Sequence, residues 1–496
     1  MADLTAQEIK IIETLEQAMA AGRTQTTSHW RKLETACNDM RQAMIEGDAM
    51  LKAMVPYFAP PHPRPKTEFS GDIELGIVPF WSRHPDMIPY HQDVPHFIIR
   101  FLEVLQKYDV IPCPTLDVDE YTKLVDAATN GTAIGPDGTS WGTGKFEQLD
   151  YRWLEAPINA LLVIILDSKY PFPKTPARLQ LAEGDLSFAV VGDWGTGAAD
   201  AQAVRQAAVN RKPDYLIHLG DVYYTGTPKH SEERLFAGSG YELAHLVEFW
   251  PQTEMKPGRS FTMNSNHEMY PGGLGLFEDA LSNPIFAHQN GSSYGMLEND
   301  DWQIYYLDSA YDSPDFLYMF GALTADQITF VQKTRNPDKR KILMTHHTPF
   351  DFTGQTELVK DGKSLLRDVG SAFGALPDYW YFGHIHDGIV YAPKTVPASA
   401  NGPAISGTCH MRCTGHGSMP YGAPWGLTKP GSRPPFHPSE YIDGITFFAG
   451  TPKTDDPAGL VKNGFMTFVL KGDQISEAFF DEDGRQTWST ARAKVH

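Results

Sequence analysis

The chain holds 496 residues, of which 42 are Lys or Arg and 61 are Asp or Glu, giving a formal charge of −19. That length accommodates roughly two to four structural units with a core that needs no disulfide framework. The excess negative charge repels phosphate backbones and anionic lipid, so neither general nucleic-acid binding nor membrane binding is expected.

A compact anionic substrate stays open, because a bound multivalent ion dominates its own surroundings. Cys37, Cys113, Cys409 and Cys413 are the only cysteines, a count that suits a reducing compartment. The N-terminal stretch MADLTAQEIKIIETLEQAMAAG has neither a basic n-region nor an apolar h-region, so a signal peptide is not expected. The longest apolar run, APINALLVIIL at 156–166, falls short of the ~20 residues a bilayer span needs. Together these predict a soluble, cytoplasmic protein.

In chain order, TAQE at 5–8 is a capping box that leads into Ile9, Ile12, Leu15 and Met19, and Gly22 closes the helix. Trp30, Leu33, Cys37 and Met40 fall at helical spacing. Further helices are predicted over 94–106 and 117–128, followed by the loop NGTAIGPDGTSWGTG. GPDGTSWGTGKFE lacks the preceding strand and the Gly-Lys-Ser/Thr ending of a phosphate loop. YPFPKTP at 170–176, with its three prolines, reads as an extended connector. Residues 1–170 are therefore expected to form a mostly helical unit of unassigned role, and 171–496 a second domain.

Beyond the connector, LSFAVVGDWGTG is a strand entering a Gly-rich turn, ADAQAVRQAAVN a helix, and DYLIHLGDVYY a second strand ending in Gly-Asp. RSFTMNSNHE, DWQIYYLDS, KILMTHHTPF and YWYFGHIHD are short β-rich runs that each end in a polar cluster. Strands alternating with helices, polar residues gathered at the strand ends, predict an α/β sheet with its site on one edge. GFMTFVLKGDQISEAFFDEDGRQTW reads as a meander with turns at KGD and DEDG. CHMRCTGH at 409–416 matches no standard zinc spacing and is expected to be a loop over the active edge. The Pro-rich TKPGSRPPFHP at 428–438 reads as an extended surface segment.

The strand-end clusters contribute Asp193, Asp221, Asn266, His346, His384 and His386, all oxygen or imidazole donors. With no thiolate among them, the set suits Fe, Mn, Mg or Zn in a reactive site. One ion takes three or four protein ligands, so this number fits two ions sharing a carboxylate, an arrangement that generates hydroxide and clamps both oxygens of a displacement at phosphorus. His346 and His347 are adjacent. His346 comes first after the strand and is the expected ligand, with His347 the alternative.

GDWG at 192–195, GDVYY at 220–224, SNHE at 265–268, THH at 345–347 and GHIH at 383–386 resemble the five ordered blocks of the calcineurin-like metallophosphoesterases. Gly195 stands where most members have a His, and Tyr224 follows Asp221 by three residues, which resembles the purple acid phosphatase branch. The resemblance implies a four-layer αββα sandwich and a dinuclear phosphoesterase in which metal-activated hydroxide attacks phosphorus. It implies one metal on Asp193, Tyr224 and His386, a bridge through Asp221, and a second metal on Asn266, His346 and His384. His267 would contact the phosphoryl group or protonate the leaving oxygen, and His347 would touch the substrate, a small phosphorylated molecule. A phenolate ligand favours Fe(III), paired with Fe, Zn or Mn. The alternatives are a phosphodiesterase using Mn or Zn, and a non-catalytic metal-binding scaffold.

Overall fold

A computed structural model describes residues 4–22, 28–54, 96–110, 144–147 and 150–490, apart from 231–234, 237, 421–424, 430–431, 433–435 and 454–459, with a few further residues between 119 and 127. The helix expected over 117–128 and the glycine-rich loop after it therefore lie largely outside the described residues.

The strands in chain order are β1 (Ala177–Gln180), β2 (Leu186–Val191), β3 (Tyr215–His218), β4 (Ser260–Thr262), β5 (Gly295–Glu298), β6 (Trp302–Tyr306) and β7 (Arg340–Met344). There follow β8 (Tyr379–Phe382), β9 (Gly388–Tyr391), β10 (Lys394–Val396), β11 (Ile405–Thr414), β12 (Ile445–Phe448), β13 (Gly464–Lys471), β14 (Gln474–Asp481) and β15 (Gln486–Ser489). One sheet runs β1-β5-β6-β7-β8-β11-β9-β12 with β10 beside β11, and the other runs β15-β14-β13-β2-β3-β4.

The two sheets pack face to face: Phe188, Ile217 and Met466 from one share a buried cluster with Ile304, Ile342 and Tyr381 from the other. The opposite face of each sheet carries helices. Ala199–Asn210 turns Ala201, Val204 and Ala208 onto one sheet. Ala325–Thr334 and Leu365–Phe373 lay Phe330, Val331, Leu366 and Val369 on the other. This is the expected α/β/β/α layering. Because β8 and the Phe188–Val191 stretch of β2 are buried on both faces, their sequences are continuous apolar runs rather than alternating ones.

β2, β3 and β4 are parallel, as are β7 and β8, so the turns after them emerge at one edge. The C-terminal β13–β15 form the antiparallel meander read from the sequence. CHMRCTGH does not form a loop: residues 405–414 are β11, parallel to β8 and antiparallel to β9, with Cys409, Met411 and Cys413 buried together in the helix-covered core.

The described part of the N-terminal segment is helical: Ala6–Gly22, Ser28–Met54, His96–Lys107 and Glu155–Leu166. The apolar run at 156–166 lies in the last of these, buried from Glu155 to Val163, so it is hydrophobic all round because it is a core helix. Leu15, Leu33, Phe101 and Leu161 pack in one cluster with Phe236, Tyr270 and Leu317, so these helices share a core with the segments beyond the connector. Among the described residues, no helix is long and apolar enough to cross a membrane.

Candidate metal centre

Each strand-end turn delivers its side chain through tight backbone geometry. Asp193, Asp221 and His384 sit at φ of 56°, 77° and 69°, a left-handed region that costs free energy for non-glycine residues and recurs at functional sites. The turns also brace one another. Gly195 N donates to Asp221 O at 3.0 Å, Tyr223 N donates to Gly195 O at 3.1 Å, and His384 N donates to Asp193 Oδ2 at 3.0 Å. A Cβ on Gly195 would come within 2.6 Å of Asp221 O and 2.7 Å of Val222 Cα, so this close approach excludes any side chain at 195.

Asp193, Asp221 and His346 offer donor atoms within 4.8 Å of one another, as do His346, His347 and His384. His346 Nδ1 lies 2.9 Å from Leu219 O, which can only accept, so the ring proton resides there. Its Nε2 then bears a lone pair, and it faces Asn266 Oδ1 at 2.9 Å and Asp221 Oδ1 at 3.2 Å. Burial pushes His346 down to about 3, which keeps the ring neutral. Asp221 Oδ1 is buried and accepts no hydrogen bond. Three lone-pair atoms thus converge with no proton between them, an arrangement that a cation satisfies and nothing among the described residues does.

On the other side, burial and then the Asp221 charge push the Asp193 carboxyl up, and burial lowers His386 to about 4. Two adjacent buried carboxylates cannot both ionise without a positive charge between them. The donor set is therefore chemically suited to hard metal ions.

The tyrosine pair departs from expectation. Tyr223 Oη lies 2.8 Å from Asp221 Oδ2, 3.0 Å from His386 Nε2 and 3.4 Å from Asp193 Oδ1. Tyr224 Oη turns away, donating to Asp150 Oδ2 and accepting from Phe146 N at 3.0 Å. The tyrosine that reaches the centre is Tyr223, not Tyr224, because the bond from Tyr223 N to Gly195 O sets which ring faces the carboxylates. Burial, then Asp221 and Asp193, push the Tyr223 phenol well above its ordinary range, a bias that only a cation reverses.

His347 also departs from expectation. Its Nε2 is 2.7 Å from Tyr318 O and its Nδ1 is 2.9 Å from Ser309 Oγ, so both ring nitrogens have partners on the chain. It is fully buried and does not line the cavity at the centre. His384 and His386 do line it, with Asp221, Asn266 and His267. His267 Nδ1 lies 2.5 Å from Tyr224 O, so the proton sits on Nδ1 and Nε2 looks towards Asp221 Oδ2, 3.9 Å away.

This cavity has a volume of about 190 Å³. Beyond its polar floor it is walled by Phe146, Trp153, Leu317, Met319 and Met419. Phe146 and Trp153 belong to the segment before the proline connector and do not stand out in the sequence. No local motif marks them, since what places them is contact with Tyr224 more than 70 positions later.

Residues 186–388 match the family model for calcineurin-like phosphoesterases. Two solved structures are similar in part. One is "GAP50 the anchor in the inner membrane complex of Plasmodium", at 13% identity and a TM-score of 0.39, covering 62% of this chain and 88% of that one. The other is a conserved uncharacterized protein from Streptococcus pneumoniae described as a predicted phosphoesterase, at 10% identity and a TM-score of 0.23, covering 62% of this chain and 97% of that one. No curated protein matches the chain.

Proposed function

From the premise that residues 186–388 belong to the calcineurin-like phosphoesterase family, a family of metal-dependent enzymes, we propose that this chain hydrolyses phosphate esters at a two-ion centre of purple acid phosphatase-like type. Asp193, Tyr223 and His386 would hold one ion, Asn266, His346 and His384 the other, and Asp221 both. The observation that carries this reading is the convergence of Asn266 Oδ1, Asp221 Oδ1 and the unprotonated Nε2 of His346, a buried set of acceptors with no donor. When bound, such ions supply Lewis-acid stabilisation of phosphoryl oxygens and acidify a water nucleophile.

The chain's own residues do the rest. The left-handed turns at Asp193, Asp221 and His384 hold the donor atoms in place before substrate arrives, so little reorganisation is left to the reaction. In the hydrolysis, a P–O bond to water forms, the ester P–O bond breaks, and a proton passes to the departing oxygen. His267 is the group placed to supply that proton when its ring carries both: Tyr224 O holds the Nδ1–H, and the Nε2–H faces the cavity and passes to the departing oxygen, the ring regaining a proton from the attacking water. Proton delivery of this kind contributes roughly 10²–10⁴ in rate.

The test is hydrolysis of phenyl phosphate by metal-loaded wild type and by Asn266→Ala, with metal content measured on both. We expect turnover in the wild type, and loss of both turnover and part of the metal in the variant. Background rates in a fully loaded wild type on monoesters and diesters alike would leave a metal-binding scaffold instead.

A further inference from the structure

Resting on the hydrolase reading above, we propose that the substrate is a small phosphomonoester with an uncharged, apolar leaving group, an aryl or short alkyl phosphate, and that Trp153 of the N-terminal helical unit is a specificity-determining residue.

The first observation is where Trp153 stands. Its ring centre is 6.0 Å from that of His267, and it meets the rings of Tyr223 and Tyr224 edge-on at 89° and 79°. The indole is held there by its Nε1–H, which donates to Glu147 O at 2.8 Å. Phe146 backs the same wall, stacked on Tyr224 at 4.7 Å, with its backbone N–H bound to Asp150 and Tyr224. If His267 protonates the departing oxygen, whatever that oxygen carries lies alongside this indole. An apolar group gains by leaving water there, and an aromatic ring gains further from edge or stacked contact.

The second observation is size. A cavity of about 150 Å³ accepts a benzene ring, whereas drug-sized ligands occupy roughly 300–1,000 Å³. At about 190 Å³ between the described residues, this one is nearer the first, which suits a phosphoryl group at its floor and one ring or short chain above it. A diester brings a second substituent, and a nucleotide brings a sugar and a base.

The third is charge. Among the described residues no Lys or Arg lines the cavity. Beside this wall, Lys145 lies 4.8 Å over the Phe146 ring, and Arg152 pairs with Asp150 at 2.9 Å. Carboxylates or further phosphates on a leaving group would enter an apolar wall unpaired, which is costly.

The experiment compares kcat/KM for phenyl phosphate, 1-naphthyl phosphate, AMP and bis(p-nitrophenyl) phosphate on the metal-loaded full chain and on Trp153→Ala. The wild type is expected to favour phenyl phosphate over AMP and over the diester by at least about 10-fold. In Trp153→Ala the phenyl phosphate value should fall about 10-fold, while the naphthyl ester loses less. Equal values across the four esters, or a uniform loss in Trp153→Ala, overturn the proposal while leaving the hydrolase intact. No turnover of any ester overturns both. Should Trp153→Ala misfold, the wild type still decides through inhibition by phenylphosphonate against adenosine 5′-phosphonate: a phenylphosphonate no tighter than the nucleoside analogue overturns the proposal.

Discussion

Tyr223 and Tyr224, one position apart, play different parts: Tyr223 Oη donates to Asp221 Oδ2 at 2.8 Å, and the Tyr224 backbone carbonyl accepts from His267 Nδ1. Tyr223→Phe should therefore remove a centre ligand, while Tyr224→Phe should remove only the hydroxyl bound to Asp150 and Phe146. If iron fills the site next to Tyr223, wild type and Tyr224→Phe will show a phenolate-to-Fe(III) band in the visible spectrum and Tyr223→Phe will not. Loss of the band in Tyr224→Phe alone would return the ligand role to Tyr224. His267→Asn keeps a side-chain N–H within reach of Tyr224 O but removes the transferable proton. Its kcat on an ester with a poor leaving group should fall about 10²–10⁴-fold, and less on a p-nitrophenyl ester, which departs without protonation. An equal drop on both esters would assign His267 to binding rather than proton delivery.

At the scale of elements, β11 joins the two sheets through one ion pair. Arg412 Nε and Nη2 reach Glu477 of β14 at 3.0 and 2.8 Å, both residues are buried, and Tyr381 Oη donates to the same carboxylate at 3.0 Å. Arg412→Met leaves a buried carboxylate unpaired and should cost about 3–5 kcal/mol in urea unfolding. Arg412→Met with Glu477→Leu should recover most of it, and a double variant no better than the single would refute the pairing. β11 is also where sequence and structure part. Cys409, Met411 and Cys413 already alternate with period two, but the histidines and glycine among them read as a loop, and only burial against β8 and β9 resolves the strand. By contrast β2, β3, β7, β8 and the helix Ala199–Asn210 are readable, because an apolar run ending in Gly-Asp or a histidine pair is a local pattern. The choice of tyrosine is not readable. Its register depends on a contact with Gly195, and a single-residue offset decides which ring faces the carboxylates.

Across the whole molecule, the N-terminal helices are tied to the segments beyond the proline connector by polar contacts as well as by a shared core. Asn159 of the helix Glu155–Leu166 exchanges two hydrogen bonds with the backbone of Phe236, at 2.8 and 2.9 Å. Glu155, in the first turn of that helix, accepts from Ser239 Oγ at 2.6 Å, while its Oε2 is buried with no hydrogen-bond partner among the described residues. Glu242, also buried, accepts from the backbone of Tyr224 and Thr225 and so holds the tyrosine turn. Burial, then the neighbouring Glu242, push the Glu155 carboxyl well above the usual range. A carboxyl whose folded pKa lies above its unfolded one favours the fold while protonated. That contribution is present at low pH and is lost as pH rises from the ordinary Glu value of about 4.3 through the folded pKa. Glu155→Gln keeps an oxygen for Ser239 and removes the titration, so its advantage over wild type should be near zero at pH 4 and grow with pH. By pH 8 the variant should be clearly the more stable of the two. Thermal unfolding of the two proteins at pH 4, 6 and 8 measures it. A difference in Tm that stays constant with pH would mean that Glu155 is held in its charged form, and that the joint between the helices and the tyrosine turn contains a cation to balance it.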